Sequence, residues 1–198
     1  MRSIALPLTL IFASAALAAQ TPANLVATLQ KGGCVLVMRH VSSPREVPDA
    51  ATANADNTTR ERQLDAVGRA SATAFGEALR RLHIPVGTVL SSPTYRAEET
   101  IRLAQLPAPA LSPELGENGA SMQAVTDAQA EWLRKKAAEF SAGTNTILVT
   151  HFPNITRAFP DNSKGIGDGE ALVFGSDGKG GAMLIARVKI EEWPQLDR

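Results

Sequence analysis

Short unbroken apolar runs alternate with stretches of helical period along most of this chain. Cys34-Val35-Leu36-Val37-Met38 follows Gly32-Gly33 and is apolar throughout. Such a run reads as a strand buried on both faces. Residues 146–150 repeat the pattern, and residues 88–90, 170–174 and 182–188 supply further strands. Between them the period becomes helical. Residues 21–30 place Leu25, Val26 and Leu29 on one side, and residues 65–82 place Val67, Ala70, Ala74, Phe75, Ala78, Leu79 and Leu82 on one face. Residues 121–140 do the same with Met122, Val125, Trp132, Leu133, Ala137 and Phe140, which makes Trp132 a core residue. Ser92 with Pro93 behind it reads as an N-cap and first helical position. Residues 84–87 read as a turn, 105–113 as a Pro/Ala connection and 176–181 as a hairpin turn. Helices alternating with strands and closing in a hairpin predict a three-layer α/β/α sandwich around a mixed, mostly parallel sheet.

The first residues break that pattern. Met1-Arg2 gives a positive start, residues 4–17 are apolar, and Ala16-Leu17-Ala18 fits a cleavage site. Residues 1–19 therefore read as a secretory signal peptide, with one domain over 20–198. Export, a periplasmic location and no stable membrane insertion after signal removal are the expectations. The lone Cys34 excludes an internal disulfide, so the core alone must hold the fold. Twenty basic and twenty acidic residues balance, which excludes the clustered basic footprint of a nucleic-acid binder.

Histidine placement brings in the chemistry. The chain has three histidines, and two of them, His40 and His151, stand just past the two strongest strands. His83 ends a helix, where a surface capping role suits it. Ligands of open α/β sheets bind at the carboxyl edge of the strands. Arg39 accompanies His40 there, and Arg96 falls on the first turn of the helix after Pro93, beside free backbone N–H groups. Two guanidiniums can clamp a phosphoryl group, and a neutral imidazole can attack phosphorus. A second imidazole can donate to the phosphoryl oxygens. Two histidines and one buried cysteine are a poor supply for zinc, and neither a phosphate-binding Gly-rich loop nor a G-x-S-x-G elbow is present. No metal or cofactor is expected. The long polar loop over 41–62 starts at this edge and suits one wall of a site.

Three segments, Val37-Met38-Arg39-His40, Leu90-Ser91-Ser92-Pro93-x-x-Arg96 and Val149-Thr150-His151, carry a resemblance. In order and spacing they resemble the smaller branch of the histidine phosphatase superfamily, the phosphoglycerate-mutase-like proteins. Gln63-Leu64-x-x-x-Gly68-Arg69 and Glu98-Glu99-Thr100 match as well, and the likeness runs from residue 33 to 188. It implies that His40 is the phosphorylated nucleophile and that Arg39, Arg96 and His151 complete the phosphate pocket. It also implies a general acid in a Leu-x-Glu context, which is Glu117, with Glu114 as runner-up. Ser43 matches a position whose hydroxyl can reach a phosphate oxygen, Asn154 can help position substrate, and Glu170 suits orienting the Gly-rich turn. Phe152 stands where the other branch has an Asp directly after the second histidine. Val41 departs from the usual Arg-His-Gly and brings bulk beside the pocket.

The resulting expectation is a phosphomonoesterase acting on a small phosphorylated substrate of the envelope and releasing inorganic phosphate. A phosphoryl-binding module with little turnover and a phosphomutase are the alternatives.

Overall fold

The computed structural model of the chain describes residues 21–117 and 125–197, so the expected signal segment lies outside the described residues. Six strands, β1 (Val35–Arg39), β2 (Val86–Ser91), β3 (Ala110–Leu111), β4 (Asn145–Thr150), β5 (Ala171–Ser176) and β6 (Ala182–Val188), form one sheet in the order β3-β2-β4-β1-β5-β6. β1 to β4 run parallel, while β5 is antiparallel to β1 and β6 to β5. This is the mixed, mostly parallel sheet the apolar runs predict.

Helices cover both faces: α1 (Pro22–Lys31), α2 (Ala66–Arg81) and α3 (Tyr95–Leu103) on one, α4 (Asp127–Lys136) and α5 (Phe152–Ala158) on the other. Leu36, Met38, Ile147 and Val149 meet Leu29, Phe75 and Ile101 in the first core. Their strand neighbours Val35, Val37 and Leu148 point the other way, to Leu133 and Ile155. Side chains alternate faces along a strand, so a sheet covered twice needs apolar residues at every position. Cys34 is buried, and burial pushes its thiol pKa up. His83 lies exposed just past α2, on the surface as expected.

Several expectations need correction. β2 starts at Val86, inside the expected turn, because Val86 pairs with Asn145 across a bulge. The connection over 105–113 contains the edge strand β3, too short to show any periodicity. α3 starts at Tyr95 with Thr94 as N-cap, not at Ser92-Pro93, because the Ser92 hydroxyl serves a histidine instead. Of the helix expected over 121–140, α4 spans Asp127–Lys136, and residues 121–124 lie outside the described residues. Trp132 is only partly buried, packed on the second core with the Lys136 ammonium 5.6 Å from its ring.

The buried face of α2 is also rotated from the expected one. Val67 is 70% exposed, and the helix approaches its neighbours through glycines. A Cβ would sit 2.1 Å from the Ser42 carbonyl oxygen at Gly68 and 1.8 Å from that of Ala104 at Gly76. Counting apolar side chains cannot register a contact made by having none.

Candidate active site

Strand register brings the two histidines together. β1 and β4 are parallel neighbours with Arg39 opposite Thr150, so the residues one step further, His40 and His151, leave the sheet side by side. The His40 N–H donates to the Thr150 carbonyl at 3.0 Å, and the two imidazole centroids are 5.2 Å apart. β2 flanks β4 on its other side with Ser91 opposite Val149. That register sets the start of α3, and with it Arg96, beneath both rings.

Arg96 is almost fully buried and bridges the pair. Its Nε donates to His40 Nε2 at 3.2 Å and its Nη2 to His151 Nδ1 at 3.1 Å, while Nη2 also pairs with Glu117. Burial lowers the Arg96 pKa, and the Glu117 charge works against that. The partners fix both tautomers. His40 Nδ1 lies 2.8 Å from the Val41 carbonyl, an acceptor only, so Nδ1 carries the proton and Nε2 the lone pair. His151 Nδ1 must accept from Arg96, so its Nε2–H donates to Ser92 Oγ at 2.8 Å. The nitrogen of His151 that faces Arg96 and Glu117 is thus an acceptor. It becomes a donor to a phosphoryl oxygen only on taking up a proton.

Both imidazoles are held neutral. Burial, with Arg96 next, lowers the His40 pKa to about 3. The same two causes, with the other histidine and further arginines behind them, lower that of His151 to about 2.

Above this floor opens a pocket of about 380 Å³ lined by Arg39, His40, Arg45, Arg62, Glu117, Phe152 and Pro153. The 41–62 loop forms one wall through Arg45 and Arg62, neither of which the sequence reading singled out. Arg62 is aimed by two backbone carbonyls: its Nε donates to Pro44 at 2.7 Å and its Nη2 to Ser43 at 3.0 Å. A rigid aim of this kind leaves no signature in sequence beyond one arginine in a polar loop. Arg39 is oriented by Asp168 at 2.6 Å and by the Ile166 carbonyl, and its buried Nε has no partner among the described residues. Phe152 lies on the rim, 45% exposed, with the Arg39 guanidinium 5.5 Å from its ring. A larger cavity of about 650 Å³ elsewhere is lined by Asp56, Glu61, Glu98 and Glu99 against the cation Arg102, a net negative wall that disfavours phosphate.

The remaining expected residues divide. Glu117 reaches the site, pairing with Arg96 and lying 3.9 Å from His151 Nδ1. Glu114 stays outside, its carboxyl pKa lowered by the Ser112 hydroxyl that donates to it at 2.7 Å. The Ser43 hydroxyl donates to the Gln63 carbonyl at 2.8 Å, so it braces the loop and does not line the pocket. Asn154 is buried and turns its amide to the Glu114 and Gly116 carbonyls instead of the pocket. Glu170 accepts from the Gly167 N–H and from Arg187, orienting the Gly-rich turn as expected. Val41 adds no bulk to the pocket. Its side chain is fully buried in the first core over Gly169, where φ is +70° and a Cβ would meet Val41 Cγ1 at 3.0 Å and Ile190 at 2.9 Å. The backbone freedom sits at Gly169, so position 41 needs none.

Among the described residues no group of three or more His, Cys, Asp or Glu side chains is placed to hold a metal ion. Beside the Glu117 carboxylate, the charge facing the pocket comes from the guanidiniums of Arg39, Arg45 and Arg62, which suits a tetrahedral oxyanion.

No protein-family model matches the chain, and no curated protein matches its sequence. Its fold does match solved structures. The protein histidine phosphatase SixA in complex with tungstate aligns with a TM-score of 0.56 at 17% identity, over 80% of this chain and 98% of that one. A mutant phosphoserine phosphatase from Entamoeba histolytica in complex with phosphoserine aligns with a TM-score of 0.54 at 12% identity, over 80% and 98%. The Rv3214 product of Mycobacterium tuberculosis aligns with a TM-score of 0.53 at 18% identity, over 78% and 96%. By its strand order and layering the chain has the phosphoglycerate-mutase-like α/β fold that these solved structures share.

Proposed function

We propose that this chain is a phosphomonoesterase that works through a phosphohistidine on His40. The observation that carries the reading is the His40 Nε2 lone pair, held neutral among Arg39, Arg62 and Arg96 at the floor of an anion pocket. A phosphoryl group replaces His40 Nε2 as the acceptor of the Arg96 Nε proton, which frees the lone pair for in-line attack. As the phosphoryl group takes Glu117's place on Arg96, the freed carboxylate takes the proton of the incoming monoester; the new Nε2–P bond then forms as the P–O ester bond breaks, and Glu117 gives that proton to the departing oxygen. Water then attacks phosphorus, its proton passes to the Glu117 carboxylate, and the N–P bond breaks to release inorganic phosphate. The guanidiniums neutralise the transferring group, the main requirement of phosphoryl transfer.

The likeness to named phosphatases supports this reaction class, and the N-terminal segment supports export to the periplasm with a small phosphate ester of the envelope as substrate. Val41, expected to bring bulk beside the pocket, lies in the core and leaves the pocket untouched, which favours turnover over a phosphoryl-binding module.

Rapid acid-free quenching of a reaction with labelled aryl phosphate tests the intermediate. The expected phosphoenzyme is labile to acid and stable to base, as a phosphoramidate is. An acid-stable phosphoenzyme would move the nucleophile to an oxygen. Arg62→Ala is expected to weaken binding of inorganic phosphate or vanadate by about 10- to 100-fold, the worth of one charge-assisted hydrogen bond. Titration calorimetry at fixed ionic strength reads that change, and an unaltered affinity would remove Arg62 from the pocket.

A further inference from the structure

The carboxylate at the pocket mouth stands on a loop with an unusual attachment. Three consecutive backbone carbonyls, those of Glu114, Leu115 and Gly116, each accept a hydrogen bond from a buried side chain of one strand–helix junction. Asn154 Nδ2 donates to Glu114 at 3.3 Å and to Gly116 at 3.1 Å, and Thr150 Oγ1 donates to Leu115 at 2.7 Å. Gln129 of α4 adds a second donor to Gly116 at 3.2 Å. The next residue is Glu117. Thr150 and Asn154 flank His151 in sequence, so a single junction fixes one histidine of the site and the stem of the carboxylate.

Stability alone does not account for these side chains. Asn154 is 1% exposed, and its Oδ1 has no partner among the described residues. Leaving a buried amide oxygen unsatisfied weakens the fold, a cost accepted for the two donors that the same amide supplies to the loop. The amide cannot be turned round, because its oxygen would then face two carbonyl oxygens. What the position keeps is the pair of N–H donors aimed at the loop.

We infer that Asn154 and Thr150 are positioning residues that act through Glu117, holding its carboxyl at the leaving oxygen. The inference rests on the phosphatase reading above, with Glu117 as proton donor. A positioned general acid contributes about 10²- to 10⁴-fold, and most where the leaving group is poor. An alkyl phosphate needs its departing oxygen protonated, while 4-nitrophenyl phosphate departs as a stabilised anion. Displacing Glu117 therefore changes the ratio of kcat/KM on the two esters, because kcat/KM reports the step that expels the alcohol and leaves out the shared hydrolysis of the phosphohistidine, whereas general loosening of the fold lowers both together.

The experiment compares kcat/KM for glycerol 2-phosphate and 4-nitrophenyl phosphate in the full chain and its variants. Asn154→Ala and the near-isosteric Thr150→Val are each expected to lose at least tenfold more on the alkyl ester. Thr150→Ser, which keeps the hydroxyl, is expected to restore the wild-type ratio. In Glu117→Gln the alkyl-selective loss should be full, and adding Asn154→Ala should deepen that selectivity by less than twofold, as for residues acting through one group. Equal losses on both esters in folded Asn154→Ala and Thr150→Val, with Glu117→Gln still selective, would overturn this inference alone. A Glu117→Gln variant with no selectivity would overturn the assignment of the acid, and the positioning role with it.

Discussion

His40→Ala is expected to abolish turnover of aryl and alkyl phosphates alike, lowering kcat by about 10⁴-fold or more, the scale at which loss of a covalent nucleophile reads out. No other described side chain can take its place. His151, 5.2 Å away by ring centroids, spends its lone pair on Arg96 and its N–H on Ser92, and it is fully buried under the pocket floor. Ser91 and Ser92 are equally buried, the first donating to the Ser92 carbonyl and the second accepting from His151. His40→Asn, which keeps more of the ring's volume, should be as inactive. Both variants should still bind inorganic phosphate through Arg39, Arg62 and Arg96, so calorimetry separates lost chemistry from a lost fold. Activity within tenfold of wild type in a folded His40 variant would refute the phosphohistidine route.

His40 is legible in the sequence as a site residue because a buried strand is an easy pattern and a histidine at its end is a rare one. Its partners were legible only in part. Arg39 and His151 are anchored to strand ends in the same way, and Arg96 to a helix start. That β1 and β4 are neighbours, with Arg39 opposite Thr150, depends on tertiary pairing that no local pattern encodes. Arg45 and Arg62 line the pocket from a loop with no periodicity, and the aim of Arg62 is set by the backbone carbonyls of Ser43 and Pro44. Ser92 shows the opposite failure. Its local signal for a helix cap was sound, but a buried imidazole N–H needs an acceptor, and that demand outweighed the cap. Position 41 is read in the sequence against the usual glycine after Arg-His, but the contact that settles it is with Gly169, far along the chain.

Acid should unfold this protein well before its carboxylates titrate. His40 and His151 have pKa values lowered from 6.5 to about 3 and about 2, chiefly by burial and then by Arg96. A histidine with a depressed folded pKa binds its proton more readily in the unfolded chain. Each therefore contributes its full share to stability above pH 6.5 and loses it as pH falls toward the folded value. The slope is about 1.4 kcal/mol per pH unit for each ring, so the pair costs about 5 kcal/mol between pH 6 and pH 4. That loss is comparable with the whole net stability of an ordinary domain. Carboxylates with lowered pKa values, such as Asp65 bound to the Gly68 N–H and the Ser42 hydroxyl, act in the same direction but below their ordinary 3.8. The window from pH 6 to 4 thus belongs mainly to the two imidazoles. Urea unfolding measured across it should show stability falling steeply with acidity, and His151→Gln should show about half the slope. A stability that stays level from pH 6 to 4 would mean that the rings are not held neutral, and His40 would then lack the free lone pair that its attack on phosphorus requires.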